Sequence, residues 1–311
     1  MKNGYLLVNK PPGLTSFGVV KRIGQIYKTQ KVGHVGTLDP FATGLLIVLV
    51  NKATKISQLM TNYNKEYCVK SKFGIRTDTG DRTGKIICEE SNRHLTQESF
   101  TKIIPHILML QKQIPSNYSA IKVGGQKSYL RARKGEIFTL PERQIQINQF
   151  TLLSFEYPIF EWKATVSKGT YVRTLSEQIA DLCGTCAVTL ELHRSKIGLF
   201  DVENSINFND INSLTPLKPM NELLNGIPQI SLNHFEKNKF LHGLQVTFDI
   251  EMIETPSGKD SRIANSNDQI VLVEHENEFL GLGKVVFPTA NSTISPTSFL
   301  LKPYKVFMEN E

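Results

Sequence analysis

The sequence predicts an α+β domain followed by a small β-barrel, and three observations carry that reading. Over roughly the first two hundred residues, apolar runs of strand length alternate with stretches whose apolar residues recur at helical spacing. A largely polar stretch from Asn204 to Ser213, followed by Pro216, Pro219 and Pro228, interrupts both patterns and reads as a linker. Beyond it only short apolar runs remain, separated by turn residues, as in a barrel of short strands. The expected domains are therefore 1–228 and 229–311.

Tyr5 to Asn9 reads as a short buried strand, and Lys10-Pro11-Pro12-Gly13 as a turn. Ser16 is expected to cap a helix with Phe17, Val20, Ile23 and Tyr27 on its apolar side. Lys31 to Pro40 reads as a glycine-rich loop, Leu45 to Val50 as a fully buried strand, and Ile56 to Met60 as helical. Glu66 to Phe73 alternates like a half-exposed strand, and Thr77 to Asp81 is a polar turn. Ser119 to Glu136 is loop-like and basic, Ile145 to Val166 holds two or three strands, and Thr170 to Leu182 is an amphipathic helix. Short strands are expected around Gln245 to Phe248, Gln269 to Glu274, Phe279 to Phe287 and Tyr304 to Phe307.

Hydrophobic residues make up 40% of the 311, enough for a sizeable core and against wholesale disorder. No apolar run approaches the roughly 18 residues of a membrane span, and the N-terminus lacks the pattern of a signal peptide, so a cytoplasmic protein is expected. The net charge of +7 is uneven. Residues from Gln229 onward hold 7 Lys and Arg against 11 Asp and Glu, a net −4, which leaves +11 for residues 1–228. A basic body suits a polyanionic partner. Cys183-Gly184-Thr185-Cys186 has the spacing of a metal or redox motif, but no second pair or nearby histidine in the sequence completes it. The four cysteines are expected to be reduced and ordinary, and no metal or cofactor is expected.

The most informative stretch is Gly33-His34-Val35-Gly36-Thr37-Leu38-Asp39-Pro40-Phe41-Ala42-Thr43-Gly44. Three glycines allow close approach of backbone or ligand, and Asp39 sits on a stiff Asp-Pro turn before an apolar strand that anchors it. A carboxylate so held can act as nucleophile or base; by spacing alone the stretch is equally a plain turn.

Residue for residue, this stretch resembles the catalytic motif of the TruB family of tRNA pseudouridine synthases. Lys10-Pro11 to Ser16, Lys65-Glu66-Tyr67 and Thr77 to Asp81 resemble further motifs of that family in its order. So do Pro115 to Lys122 with Tyr129, Arg133 and Gly135 behind it, Lys168 to Thr174, and Leu192 to Phe200. Phe279 to Gly283 and Leu301-Lys302-Pro303 resemble more weakly the strands of its PUA-like barrel.

The resemblance implies a mixed, largely antiparallel central sheet with flanking helices, an active cleft across its middle and a PUA-like barrel behind. It implies isomerisation of uridine to pseudouridine in the T-loop of transfer RNA, at the position called 55, without cofactor. Asp39 matches the catalytic carboxylate, Arg173 the arginine that pairs with it, and Tyr67 the active-site tyrosine. Tyr171 and Leu192 match residues lining the same pocket, Lys10 and Pro11 its floor, and His34 the residue that inserts into the T-loop. Lys122, Lys127, Arg131 and Arg133 fall in the segment that grips the RNA backbone. The expected partner is the T-arm of transfer RNA, bound by a monomer, with no membrane and no guide RNA. An RNA-folding chaperone and a guide-dependent relative are the rival readings; intact Asp39 and Arg173 argue against the first, the lack of long basic extensions against the second.

Overall fold

A computed structural model of the chain describes residues 3–90, 95–119, 121–136, 138–249, 269–287 and 298–307. The chain divides into two compact units, Tyr5–Pro216, and Leu217–Glu311 with Met1–Gly4. That division falls inside the proline-bearing stretch expected to be a linker.

The larger unit is built on β1 (Gly4–Lys10), α1 (Ser16–Ile26), β2 (Val32–Val35), β3 (Thr43–Val50), β4 (Lys65–Phe73), α2 (Gln97–Leu108), β5 (Ile147–Glu156), β6 (Ile159–Val166), α3 (Val172–Leu182), β7 (Ala187–Ile197) and β8 (Ile206–Asn207). Its strands form one sheet in the order β5-β6-β4-β7-β3-β1-β8, with β2 paired to β3. The pairs β5/β6, β6/β4, β4/β7 and β2/β3 are antiparallel; β7/β3 and β1/β8 are parallel. The sheet is thus mixed and largely antiparallel, as expected.

β4 alternates buried and half-exposed residues without a break, so one face is committed to the core. That face packs Tyr67, Val69 and Phe73 with Phe160 and Trp162 of β6, Phe100 of α2, and Leu175 and Ile179 of α3. Phe73 and Phe160 stack with ring centroids 4.1 Å apart, and Phe160 is fully buried. Cutting such a ring to alanine costs about 3–5 kcal/mol. A buried hydroxyl chain crosses this core: Trp162 Nε1 donates to Ser71 Oγ at 3.2 Å, Ser71 Oγ to Ser176 Oγ at 3.1 Å, and Thr189 Oγ1 to Ser176 Oγ at 2.9 Å. These bonds tie α3 to β4, β6 and β7, which fixes where its first turn points.

Several local expectations need correction. Thr15, not Ser16, caps α1: its side chain accepts from the Gly18 N–H, while Ser16 Oγ bonds both backbone groups of Leu38. With the cap one residue earlier, Val19 and Ile23 form the buried face, and Phe17, two residues from Val19 and so on another side, is 72% exposed. Val32–Val35 is a strand rather than loop, because Val32 and Val35 find Val50 and Ile47 of β3 as ladder partners. The basic stretch contains a short hairpin, Lys122–Val123 with Gln126–Lys127, and a helix, Ser128–Arg133. Ala120, within the motif Pro115 to Lys122, lies outside the described residues.

The smaller unit is a five-stranded sheet in the order β9 (Gln229–Ser231), β11 (Gln269–His275), β12 (Glu278–Val286), β13 (Ser298–Val306), β10 (Val246–Asp249), with α4 (His234–Leu241) after β9. Among the described residues β9/β11 is parallel, while β10/β13, β11/β12 and β12/β13 are antiparallel. Its own core holds Phe240, Val246, Val271, Val273, Val285, Phe299 and Leu301.

Candidate active site

The glycine-rich loop after β2 is held from three directions. The Ser16 hydroxyl accepts from the Leu38 N–H at 2.9 Å and donates to its carbonyl at 3.1 Å. Lys10, fully buried, spends its ammonium on the carbonyls of Pro11 (2.9 Å), Leu14 (2.8 Å) and Pro40 (3.3 Å). Burial pulls Lys10 down to about 8 although Asp39 pulls it up, and Arg194 adds to the lowering. Arg194, also buried, donates to the carbonyls of Leu45 (2.8 Å) and Gly36 (2.9 Å). Gly44 sits at φ +102°, where a Cβ would meet the Arg194 carbonyl oxygen at 2.3 Å, so only glycine lets β3 and β7 approach here. Asp39 is thereby presented with its side chain 32% exposed, next in sequence to Leu38, which packs in one buried cluster with Ala42, Tyr67 and Leu192.

Arg173 enters from the first turn of α3. Its Nε lies 2.8 Å from Asp39 Oδ2 and its Nη2 3.2 Å from Asp39 Oδ1, a bidentate pair. The other side of the guanidinium is also engaged: Nη1 donates to the Thr79 carbonyl and lies 3.4 Å from Asp81 Oδ2, and Nη2 donates to the Tyr118 carbonyl at 3.3 Å. Asp81 is buried, and its other oxygen accepts from the Thr83 N–H at 2.9 Å and hydroxyl at 2.6 Å. Arg173 is thus clamped between two carboxylates, one buried and one facing the cleft.

Tyr67 and Leu192 sit in the same core cluster as Leu38 and Ala42, with Tyr67 opposite Arg194 in the β4/β7 ladder. Pro11 is half-buried beside Lys10. Tyr171 immediately precedes α3, and its backbone is fixed by Gln113, which accepts from the Tyr171 N–H at 2.7 Å and donates to its carbonyl at 3.1 Å. His34 is half-buried on β2; burial, then the Arg194 charge, holds its imidazole below the usual range, and Nδ1 is buried without a partner.

The basic segment stands apart from these residues but is joined to them through Tyr118, whose carbonyl meets Arg173 and whose hydroxyl donates to Asp78 Oδ2 at 3.0 Å. Lys122, Lys127, Arg133 and Lys134 are exposed there. Arg131 differs: it is half-buried, paired with Glu136 at 2.6 Å, and its guanidinium lies 4.7 Å from the Phe138 ring centroid. The sequence reading missed the roles of Asp81 and Arg194. The only signal for either was membership of a motif, since neither contact is local in sequence.

The profile of the TruB family pseudouridylate synthase (N terminal domain) matches residues 24–172. The tRNA pseudouridine synthase B of Clostridium tetani is 38% identical over 288 residues, covering 91% of this chain and 95% of that protein. The tRNA pseudouridine synthase B of Aquifex aeolicus is 34% identical over 290 residues, covering 91% and 96%. Among solved structures, a chain of a Cbf5-Nop10-Gar1 complex superposes with a TM-score of 0.72 at 21% identity, covering 98% of this chain and 85% of that one. One from an H/ACA RNP bound to a substrate RNA containing 2'-deoxyuridine gives 0.70 at 20%, covering 98% and 85%. These likenesses show the fold: a mixed-sheet domain followed by a PUA-like barrel.

Proposed function

Because this chain belongs to the TruB family, and so is a pseudouridine synthase, we propose that it isomerises the uridine at position 55 in the T-loop of transfer RNA, alone and without cofactor, with Asp39 as the catalytic carboxylate. The observation that carries the assignment of Asp39 is its bidentate pairing with Arg173 by a carboxylate left part-exposed.

The reaction breaks the bond between ribose C1′ and base N1, turns the base, and rejoins it through C5; the proton lost from C5 is balanced by the one N1 gains. No electrons are gained or lost overall, so the chemistry calls for a positioned carboxylate and a pocket that retains the free uracil. Asp39, aimed by Arg173, is the group to attack or deprotonate the nucleotide. Tyr67, Tyr171 and Leu192 line the space for the base, and Lys10 and Pro11 hold the loop beneath it. A stacked uridine cannot reach Asp39, so it must be flipped out at a cost of a few kcal/mol; in this reading His34, five residues before Asp39, fills the gap it leaves. Lys122, Lys127 and Arg133 grip the backbone of the T-arm, with Arg131 bracing the helix that carries Arg133. A monomer working in the cytoplasm satisfies this reading.

The test is a synthetic T-arm stem-loop incubated with the purified chain alone. Pseudouridine should form at the target position, and Asp39→Asn should abolish it while still binding, because phosphate contacts dominate affinity. Substantial turnover by Asp39→Asn overturns the assignment of that residue; turnover only after adding another RNA or protein overturns the stand-alone reading.

A further inference from the structure

A second cluster of chemically capable side chains lies away from the cleft. The Sγ atoms of Cys88 and Cys186 and a carboxylate oxygen of Glu90 all lie within 4.8 Å of one another. They sit in an open pocket of about 250 Å³, lined also by Arg76, Asp181, Gly184 and Thr185. Two thiolates and one carboxylate are a donor set suited to zinc, which at Zn–S about 2.3 Å and Zn–O about 2.0–2.2 Å holds tetrahedral ligands roughly 3.5–3.8 Å apart. With every donor pair already within 4.8 Å, reaching that spacing needs side-chain movement of at most about 1 Å.

The backbone already gathers the ligands. Gly74 donates its N–H to the Cys186 carbonyl at 2.8 Å and accepts from the Glu90 N–H at 2.8 Å, which knits both ligand-bearing segments to one residue. Cys88 and Glu90 come from the strand Ile86–Glu89 and the residue after it, paired antiparallel with Ile75–Thr77; Cys186 precedes β7. The Thr185 hydroxyl donates to Glu90 Oε2 at 2.7 Å, the outer hydrogen bond that orients a ligating carboxylate. Zinc with two thiolates and a carboxylate carries a net −1. The Arg76 guanidinium lining the pocket, itself shared with Asp181 and Glu177, supplies the neighbouring positive charge.

We propose that Cys88, Cys186 and Glu90 form a zinc site with its fourth position open to the pocket, clamping the hairpin 75–89 against the start of β7. Binding would release the protons of the two thiols to solvent. The hairpin leads directly into the turn whose Asp81 holds Arg173, and Thr77 Oγ1 donates to the Asp81 carbonyl at 2.7 Å, so the clamp would brace the rear of the cleft. The site pairs Cys186 with a cysteine distant in sequence rather than with Cys183, which ends α3.

Cobalt(II) titrated into the reduced, metal-free full chain is the probe. We expect one ion per chain, a thiolate-to-cobalt charge-transfer band in the near ultraviolet, and loss of that band when zinc is added. Cys88→Ser and Cys186→Ser should each abolish it, Thr185→Val should weaken affinity about 10–100-fold, and Cys68→Ser and Cys183→Ser should leave it intact. Circular dichroism and metal-free isomerase activity establish that each variant folds; should Cys186→Ser fail, the half-buried Cys88 decides. Absence of the band in the wild type, its survival in Cys88→Ser, its loss in Cys183→Ser, or a Cys88–Cys186 disulfide as the only chemistry at the cluster would each overturn the proposal.

Discussion

At Arg173 three needs meet in one guanidinium: it must pair the cleft carboxylate, stay rigid, and tolerate burial. A buried arginine with a single exposed partner would satisfy only the first. Asp81, from a turn 92 residues away, supplies the rest together with the Thr79 and Tyr118 carbonyls, and its Oδ1 is held by Thr83. In the proposed mechanism Asp81 acts only through Arg173, as a positioning residue, so replacing it should affect turnover more than binding. A hydrogen bond to a charged group is worth about 1.5–3 kcal/mol. Asp81→Asn should therefore lower kcat roughly ten- to a hundredfold, with KM for the T-arm nearly unchanged. A KM effect with kcat intact would mean that Asp81 serves RNA binding instead. At this scale the sequence was readable where chemistry sits in a short linear motif: Asp39 and Arg173 each stand in one, and the structure joins them. Asp81 was seen only as part of a polar turn, and Arg194 only as part of a strand motif. Their work is done on the carbonyls and charges of distant segments, and no local spacing reveals that.

On α3, Arg173 and Glu177 are one turn apart and share a face, so the helix that delivers Arg173 to Asp39 also carries a carboxylate beneath it. Burial pushes Glu177 up to about 7; Arg76 pulls it down, Asp181 pushes it further up, and Arg173 pulls it down. The folded chain thus keeps a proton that the unfolded chain releases near the ordinary value of 4.5. Since stability falls with pH wherever the folded state binds more protons, Glu177 should make the protein less stable as pH rises from 4.5 to about 7, and no further above that. Urea unfolding across this range should show the decline in the wild type and a flatter profile in Glu177→Gln; identical profiles would place the proton elsewhere. Elements were legible in proportion to their periodicity. β4 alternates perfectly and was placed to within a residue, whereas α2 went unread because Pro105 stands inside it and its start depends on the Thr96/Ser99 capping box. β2 was hidden by Gly33, whose presence suggests a loop until Val50 and Ile47 are seen to lie opposite its valines.

Across the whole molecule, net charge separates a basic larger unit from an acidic later stretch. Moving the boundary from 229 to Leu217 adds Lys218 and Glu222 and leaves the later stretch at −4. Net charge, however, hides local arrangement. In the smaller unit Lys284 and Lys302 are cross-strand partners, and the ammonium groups of Lys284 and Lys305 lie 5.2 and 5.4 Å from the ring centroid of exposed Tyr304. This is a compact basic and aromatic patch on an otherwise acidic unit, of the kind that holds nucleic acid. Against it, the larger unit offers Lys122, Lys127, Arg133 and Lys134, all exposed, on a segment tied through Tyr118 to Arg173 itself. Each phosphate neutralised contributes roughly 0.7–0.9 to the slope of log affinity against log salt. Replacing Lys127, Arg133 and Lys134 by Ala should flatten that slope by about two to three units. Arg131 is left out because its charge is already shared with Glu136. Replacing Lys284, Lys302 and Lys305 by Ala should flatten it by less than about one, because the surrounding −4 lowers the cation density that the RNA meets. Fluorescence titrations of the T-arm against both triple variants at several salt concentrations make the comparison without deleting any domain. A larger loss of slope from the barrel variant would reverse the assignment: the Tyr304 patch would then be the principal RNA grip, and the basic body would act mainly in long-range attraction.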